Sequence, residues 1–235
     1  MSMKKIFGPG QLSEDEHWLS VSDLMAGLML LFLFIAITYI RPIVDTQEKI
    51  REIVVAWKDS EVDIYKALDE EFQDDLPRWN AELDQKTLSI RFKAPDVLFD
   101  TAAASLKPEF KAILQEFFPR YLHVLHRFGK AIAEVRIEGH TSSEWVGAKT
   151  ADEAYFKNMK LSQDRTRSVL EYCLTLPAVD PFKDWARRYI TANGLSSSQP
   201  IIHNGREEKA RSRRVEFRVR TNTKEQIVRV LETIQ

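Results

Sequence analysis

Several features that would narrow the function are absent from the sequence. A single cysteine, Cys173, makes an internal disulfide bond impossible and does not decide between a reducing and an oxidising compartment. The formal net charge of −1 over 235 residues gives no global signal for nucleic-acid binding. The sequence has no Gly-rich phosphate loop, no nucleophile elbow and no Gly/Ser- or Pro-rich tract. We therefore expect neither an enzyme nor a nucleic-acid-binding protein, and no bound cofactor.

Metal-ligating residues are also sparse. His123 and His126 are three residues apart near the end of a predicted helix, but no third ligand presents itself. Structural and catalytic zinc sites use three or four protein ligands. We therefore predict no metal site.

Only one long hydrophobic run is present. Residues 18–40 form a stretch of 23 residues with a single charge, that of Asp23. As a helix with a rise of about 1.5 Å per residue it would be about 34 Å long, which matches a hydrocarbon core of about 30 Å. Trp18 and Tyr39 lie near its ends, where aromatic side chains favour the membrane interface. We predict one membrane-spanning helix that stops at Pro42.

A cleaved signal peptide is the alternative for this segment. Lys4 and Lys5 could form its positive start, but the apolar run is too long, begins late and carries Asp23. No small-x-small cleavage site follows Ile40. We therefore expect the helix to be retained, with residues 1–17 in the cytoplasm because lysines precede the helix.

Asp23 is the residue of interest in this helix. A carboxylate inside a membrane costs a few kcal/mol at mid-depth, so such residues usually have a function. An interfacial acid that reaches water is the simpler interpretation, because Asp23 is only five residues inside Trp18. The functional hypothesis is an ion-binding carboxylate that faces a partner helix, with small residues, Ala26 and Gly27, on the same side.

These residues resemble those of a known family. Trp18, the run Asp23–Met29 and the run Leu31–Leu33 resemble the membrane helix of MotB-type stator subunits. The resemblance implies that Asp23, with the Ser22 hydroxyl beside it, binds the transported ion, expected to be H⁺. It also implies a homodimer of this chain with a MotA-like membrane pore subunit, five copies to two.

The run Trp18–Met29 is more similar still to the B subunit of Zorya antiphage defence systems. That resemblance implies a ZorA-like pore subunit as the partner and a membrane motor that signals phage entry. A flagellar stator subunit is the alternative within the same class.

A charged segment, residues 41–80, follows the membrane helix. Its apolar residues recur at helical spacing, which predicts an amphipathic helix. Two arrangements are open: the helix packs on its own domain, or it forms a parallel dimeric pair. The resemblance to stator subunits implies a plug and linker here. The apolar positions are Ile50, Val54, Trp57, Ile64, Leu68 and Phe72.

The C-terminal part changes to alternating strands and amphipathic helices. The order is βαβαββ-like, which predicts an α+β fold with a mixed sheet and helices on one face. We expect Ser162 and Thr166 on the exposed side of the second helix. The predicted elements are strands over 87–92, 134–139, 188–192 and 214–220, helices from 108 and over 161–174, and a short helix over 223–235.

Residues 81–222 resemble the OmpA-like peptidoglycan-binding domain. The motifs that carry this resemblance are residues 135–141, residues 158–169, Gly194, Pro200 and residues 213–217. A periplasmic wall domain follows from it. The resemblance implies that five residues bind peptidoglycan: Thr141, Asn158, Leu161, Arg165 and Arg214.

The stem peptide's diaminopimelate ends in a carboxylate and an ammonium group. A guanidinium binds a carboxylate with two parallel hydrogen bonds, and the resemblance gives this role to Arg165. The family's usual aspartate after Gly-His-Thr is Ser142 here, and residues 143–153 form an insertion. Either Glu144 or Asp152 could supply the carboxylate, or the affinity is altered. A passive wall tether without ion conduction is the alternative function.

Overall fold

The computed structural model describes residues 12–93, 98–100, 103–222 and 228, without the side chains of 12–20 and 52–59. The chain divides into two compact units, with the boundary between Val54 and Val55. The predicted C-terminal helix over 223–235 lies outside the described residues except for Val228, which is helical.

The first unit consists of the N-terminal part of helix α1, Leu12–Phe72. Its segment Val21–Arg51 is long and apolar enough to cross a membrane once. From Val21 to Val44 the apolar side chains are exposed around the whole helix. A helix that is hydrophobic all round needs an apolar surrounding, and lipid or other membrane helices provide it.

Pro42 does not end the helix, so this expectation was wrong. The helix continues through Pro42, and the Thr46 hydroxyl donates a hydrogen bond of 2.7 Å to the Pro42 carbonyl. Proline removes one backbone hydrogen bond and usually bends a helix. The missing N–H of Pro42 frees the carbonyl of Thr38, four residues earlier, and helices in membranes tolerate proline where neighbouring groups satisfy such a carbonyl.

The second unit contains a five-stranded sheet with helices packed on it. The strands are β1 Ala81–Asp84, β2 Ser89–Lys93, β3 Ile132–His140, β4 Ile190–Gly194 and β7 Arg214–Thr221, and a separate ribbon comprises β5 Ile202–His203 and β6 Arg206–Glu207. The helices are α2 Pro108–Arg127, α3 Ala151–Thr175, a 3₁₀ helix Pro177–Phe182, α4 Lys183–Tyr189 and α5 Lys209–Ser212.

The strand order is β1-β2-β7-β3-β4, in which β3 and β4 are parallel and the other pairs are antiparallel. This confirms the predicted α+β fold with a mixed sheet. Strand β1 was missed because it is only four residues long and its sequence does not alternate clearly. Strand β4 starts two residues later than predicted, because residues 183–189 form helix α4.

The two faces of the sheet have opposite character because side chains alternate along each strand. One face is apolar and packs on α2, where Phe92 and Phe217 meet Phe117 at ring-centroid distances of 5.2 and 5.0 Å. The other face carries arginine and glutamate side chains. Arg91, for example, donates a 2.8 Å hydrogen bond to Glu216 across β2 and β7.

The C-terminal part of α1 belongs to the core of the second unit. Ile64, Leu68 and Phe72 are fully buried there, and Phe72 contacts Phe117 at 5.2 Å between ring centroids. Arg120 reinforces this packing with a 2.6 Å ion pair to Glu71. Of the two open arrangements, packing on the chain's own domain therefore holds for these residues. The domain core begins before residue 81.

Helix α3 approaches the sheet very closely, and this overturns one expectation. Ser162 and Thr166 were expected on its exposed side, but they are 1% and 0% exposed. The sheet has glycines opposite them, Gly139 paired with Gly194 in parallel register. A Cβ atom on Gly139 would lie 2.8 Å from the Ser162 carbonyl oxygen. Small residues on both surfaces therefore let helix and sheet backbones come together.

Candidate functional site

Asp23 lies in the membrane-spanning part of α1, one residue after Ser22, and its side chain is exposed. A Cβ atom added to Gly27, one turn later, would meet nothing within 4 Å. Asp23 has no hydrogen bond or ion pair among the described residues, so side chains of other chains are needed to surround an ion bound there. The small surface at Gly27 leaves room for another helix to approach the carboxylate.

A second candidate site is a pocket of about 360 Å³ in the C-terminal unit. It lies at the C-terminal end of β3, beside α3 and next to the paired residues Gly139 and Gly194. The structure brings four of the five predicted wall-binding residues to this pocket. Its lining residues are Thr141, Ser142, Glu144, Trp145, Val146, Asn158, Leu161, Arg165 and Arg213.

Thr141 follows the last residue of β3 and is held by its backbone. Its N–H donates a 2.9 Å hydrogen bond to the Ser196 carbonyl. The Thr141 hydroxyl is buried and has no hydrogen-bond partner among the described residues. A buried hydroxyl without a partner is costly, so a polar ligand group or a water in the pocket would stabilise it.

Asn158 ties the loop before α3 to the helix. Its side-chain amide donates to the carbonyl oxygens of Ser142 and Glu144, at 3.1 and 3.3 Å. Both N–H groups of the amide are thereby used, and the carbonyl oxygen is the group left to face a ligand. Asn158 therefore shapes the pocket wall. Leu161, one turn later, adds apolar surface to the same wall.

Arg165 is 7% exposed, and its contacts with described residues include one to a backbone carbonyl and one to an aromatic ring. Its Nε donates a 2.9 Å hydrogen bond to the Ala103 carbonyl. Its guanidinium carbon lies 4.8 Å from the centre of the Phe99 ring. These contacts fix the plane of the guanidinium beside the pocket. A fixed guanidinium suits two-point binding of a carboxylate.

The structure does not bring Arg214 to the pocket. Arg214 is the first residue of β7 and lies on the charged face, where its Nη1 donates to the Ser212 carbonyl at 2.9 Å and its Nε contacts Glu216. Arg213, one residue earlier, lines the pocket instead. The alternation of side chains along a strand could have distinguished the two arginines. Arg214 is two residues before Glu216, so both side chains lie on the same, charged face of the sheet.

The insertion is shorter than expected, because α3 begins at Ala151 and takes up its last residues. Thr150 caps the helix by accepting a 3.1 Å hydrogen bond from the Glu153 N–H. Residues 143–150 remain as a loop, which we call the pocket loop. Glu144 lines the pocket, whereas Asp152, in the first turn of α3, does not.

The pocket loop is attached to the ribbon and α5. The Ser143 N–H donates a 3.1 Å hydrogen bond to Glu207, and Lys209 forms a 2.9 Å ion pair with Glu144. The hydrogen bond and charge of Lys209 hold the pKa of Glu144 below its usual value, so it is a carboxylate at neutral pH. The loop also adds Trp145 to the wall, which the motifs gave no reason to single out.

Next to the pocket, the charged face contains a buried cluster of Glu138, His140 and Glu216. Their possible ligand atoms lie within 4.8 Å of one another, which is compatible with a metal site. Burial lowers the pKa of His140, so the imidazole is neutral. However, Glu216 already accepts hydrogen bonds from Ser89, Arg91, Arg214 and Arg218.

Three guanidinium groups around one carboxylate repel a further cation and occupy its lone pairs. Burial alone would raise the pKa of Glu216, but the hydrogen bond and charge of Arg214, with the charge of Arg91, outweigh it and give a pKa of about 2. We therefore interpret the cluster as a buried ionic network that holds β2, β3 and β7 together.

Comparison with known proteins places the chain in a family. No protein-family model matches the sequence. Among solved structures, it is 25% identical to the cell wall anchor of the T6SS from Pseudomonas aeruginosa, with a TM-score of 0.46 over 66% of this chain and 96% of that one. A putative MotB-like protein from Desulfovibrio vulgaris is 24% identical, with a TM-score of 0.46 over 72% and 94%.

A curated relative covers almost the whole chain. The Zorya protein ZorB of Escherichia coli is 48% identical over 234 residues, which make up 98% of this chain and 100% of the relative. This match confirms the family predicted from the residues around Asp23. The chain therefore belongs to the family of the Zorya protein ZorB.

Proposed function

We propose that this chain is the wall-anchored stator subunit of an ion-driven inner-membrane motor that serves Zorya-type antiphage defence. The observation that carries the proposal is the combination, in a ZorB-family chain, of an exposed carboxylate on a membrane-spanning helix and a ligand pocket in the C-terminal domain. The family match favours defence over flagellar motility. The pair of features favours an active motor over a passive tether.

In this proposal Asp23 binds the transported ion, a proton, with Ser22 beside it. The carboxylate needs partner helices, because the described side chains of its own chain leave it exposed. We propose a ZorA-like pore subunit as the source of those helices, with five copies around two copies of this chain. The surface at Ala26 and Gly27 is the contact that lets a partner helix come close.

The pocket is proposed to bind the peptidoglycan stem peptide. Arg165 and Arg213 attract the carboxylate of a diamino acid, and Glu144 attracts its ammonium group. Leu161 supports the aliphatic chain between these charges. The buried Thr141 hydroxyl would gain the hydrogen-bond partner that it lacks among the described residues. Glu144 thus takes the place of the family aspartate that Ser142 replaces.

The wall anchor and the ion site have a mechanical relation. The N-terminus is proposed to lie in the cytoplasm and the C-terminal domain in the periplasm, bound to the wall. An anchored subunit cannot rotate with its partner, so ion passage past Asp23 turns the partner ring. The electrical work available is about 2.3 kcal/mol per charge per 100 mV.

Wall binding is tested by co-sedimentation of the full chain, in detergent, with purified sacculi. We expect Arg165→Leu to weaken binding at least about tenfold, because a buried charge-assisted contact is lost. Arg167→Leu is the matched control, since Arg167 lies on the same helix but is exposed and pairs only loosely with Glu171, at 3.5 Å. Equal sedimentation of wild type and Arg165→Leu would remove the pocket from the proposal.

A further inference from the structure

A second cleft lies in the same domain, at the C-terminal end of α2. Its volume is about 730 Å³, within the range of small-ligand sites. Its lining includes Phe128, Gly129 and Ala131, together with Trp185 and Tyr189 from α4. None of the residues of the first pocket lines it. The proposed stem-peptide site therefore does not account for it.

Two aromatic rings of α4 stack on each other at this cleft. Trp185 and Tyr189 lie one helical turn apart, with ring centroids 5.1 Å apart and planes only 30° from parallel. Both side chains are half-buried, so the rings line the cleft and do not protrude. The Trp185 indole N–H has no hydrogen-bond partner among the described residues. The open face of this stack, with the indole donor at its edge, suits a ligand with an apolar face and hydroxyl groups.

Among the residues that the structure describes, two cations, Arg127 and Lys130, and no acid line the cleft. Arg127 and Lys130 are exposed at its rim, and Arg188 lies 5.6 Å from the centre of the Tyr189 ring. Basic residues near a helix C-terminus also complement the helix dipole, which explains Arg127 without any ligand. Lys130 lies beyond the end of α2, so the helix dipole does not explain its charge there. The dipole also does not explain the accessible rings of Trp185 and Tyr189. The charge therefore favours a ligand that carries carboxylates.

We propose that this cleft binds the glycan strand of peptidoglycan. The C–H face of a sugar ring packs on the open face of the Trp185–Tyr189 stack, and carboxylates of nearby stem peptides face Arg127 and Lys130. This inference rests on the proposed wall-binding function and extends it: the domain contacts the wall at two chemically different places. Two contacts with one polymer slow its dissociation, because once the first contact is made the second forms at a high effective concentration.

A membrane surface is the competing ligand, because tryptophan, tyrosine and basic residues also favour lipid headgroups. Membrane binding requires apolar side chains that project into the bilayer. Trp185 and Tyr189 are instead half-buried and are not among the exposed large apolar side chains of the described residues. This geometry favours a sugar chain, and the experiment includes the membrane as a separate outcome.

The test uses the full chain in detergent with two separate probes, peptide-free glycan strands and free stem peptides. We expect wild type to bind both. Tyr189→Ala and Trp185→Ala should each weaken strand binding about tenfold, through loss of one stacked ring, without changing stem-peptide binding. Arg165→Leu should do the reverse. Phe156→Ala, which removes an aromatic ring that is 68% exposed on α3, is the matched control and should change neither.

A fold check by thermal unfolding accompanies each variant. If Trp185→Ala unfolds the domain, the exposed double variant Arg127→Gln/Lys130→Gln decides. It should leave binding of peptide-free strands unchanged and weaken binding of peptide-bearing strands.

Three results would overturn the inference. The first is no binding of wild type to peptide-free strands while stem peptides bind. The second is that both ring variants still bind strands as wild type does. If Trp185→Ala unfolds, the corresponding result is that Arg127→Gln/Lys130→Gln and wild type bind peptide-bearing strands equally. The third is fluorescence quenching of Trp185 by brominated phosphatidylglycerol in proteoliposomes, judged against Trp185→Phe, which would assign the cleft to the membrane. Strand binding without stem-peptide binding would instead reject the pocket and keep the cleft.

Discussion

The two candidate sites differ in how much of each this chain supplies. The stem-peptide pocket is assembled from β3, α3, the pocket loop and Arg213, all in one unit, and its side chains are held by contacts within the chain. Asp23, in contrast, projects from the part of α1 in which the apolar side chains, from Val21 to Val44, are exposed. The candidate wall site is therefore formed by residues of one chain. The proposed ion site at Asp23 requires side chains from other chains.

Two glycines, one in each unit, differ in how closely other atoms of the chain surround them. A Cβ atom on Gly194 would lie 2.6 Å from the Gln163 Cα, whereas one on Gly27 would meet nothing within 4 Å. A side chain at Gly194 must therefore disturb the fold itself. A side chain at Gly27 can disturb only an assembly.

The largest effect is expected for Gly194→Val. The added side chain collides with the backbone of α3, so the helix must leave the sheet, at a cost of about 3 kcal/mol or more in the free energy of unfolding. Urea denaturation followed by circular dichroism measures this. Gly147→Val is a control for backbone strain alone, since Gly147 has a φ of +82° but no neighbour within 4 Å. Equal losses for both variants would contradict the close-approach explanation.

Acid stability should report the ionic network of the wall domain. Glu216 has a pKa of about 2 against an ordinary 4.5, so its stabilisation is full above pH 4.5 and is lost as pH falls towards 2. The shift corresponds to at most about 3 kcal/mol. Burial also lowers the pKa of His140 from 6.5, so stability falls further as pH drops below that value. Unfolding free energies measured from pH 7 to 3 test both contributions.

Glu216→Gln should lower stability at pH 7 and flatten the acid part of this profile. Glu171→Gln is the control, because Glu171 is exposed and makes only a 3.5 Å pair with Arg167. An unchanged acid profile in Glu216→Gln would mean that the network does not couple to folding.

Asn158→Ala should have a smaller effect on stability and a clear one on binding. It removes two hydrogen bonds to the pocket loop, worth about 1–3 kcal/mol together. The loop should then be cut more readily by protease, and sacculus binding should weaken, although Arg165 is intact. Loss of binding with unchanged protease sensitivity would show that Asn158 acts on the ligand directly and does not position the loop.

The smallest effect on the chain itself is expected for Gly27→Leu. Because nothing in the described chain lies near Gly27, the thermal unfolding of the wall domain should not change. Co-purification with the pore subunit should nevertheless fail, since a leucine keeps a partner helix away from Asp23. Gly27→Ala should retain part of the complex. Normal co-purification of Gly27→Leu would move the partner contact to another face of the helix.

The sequence predicted what local patterns encode. The membrane span follows from the length of one apolar run. The alternation in β7 and the apolar positions of α2 follow from the periodicity of single segments. Strand β1 and the burial of Ser162 do not, because they depend on a pairing with β2 and on glycines in other strands. The continuation of α1 through Pro42 was also not predicted, because the rule that proline ends a helix considers only the local sequence.

The pocket residues came from motifs and their spacing, and four of the five lie together. The fifth, Arg214, has an arginine as its neighbour, so a motif alone does not tell which one faces the pocket. Trp145 lies in an insertion where no motif applies. The aromatic surface of Trp185 and Tyr189 required knowledge of α4, whose residues were partly predicted as a strand.

The central claim is that Asp23 drives a motor that the wall domain holds in place. The most direct test is phage plaque formation on cells that express this chain with its system's other genes, comparing wild type with Asp23→Asn at equal membrane abundance. The account predicts that wild type protects and that Asp23→Asn loses protection, because an amide cannot take up and release a proton. Full protection by Asp23→Asn would contradict it and leave the chain as a passive tether.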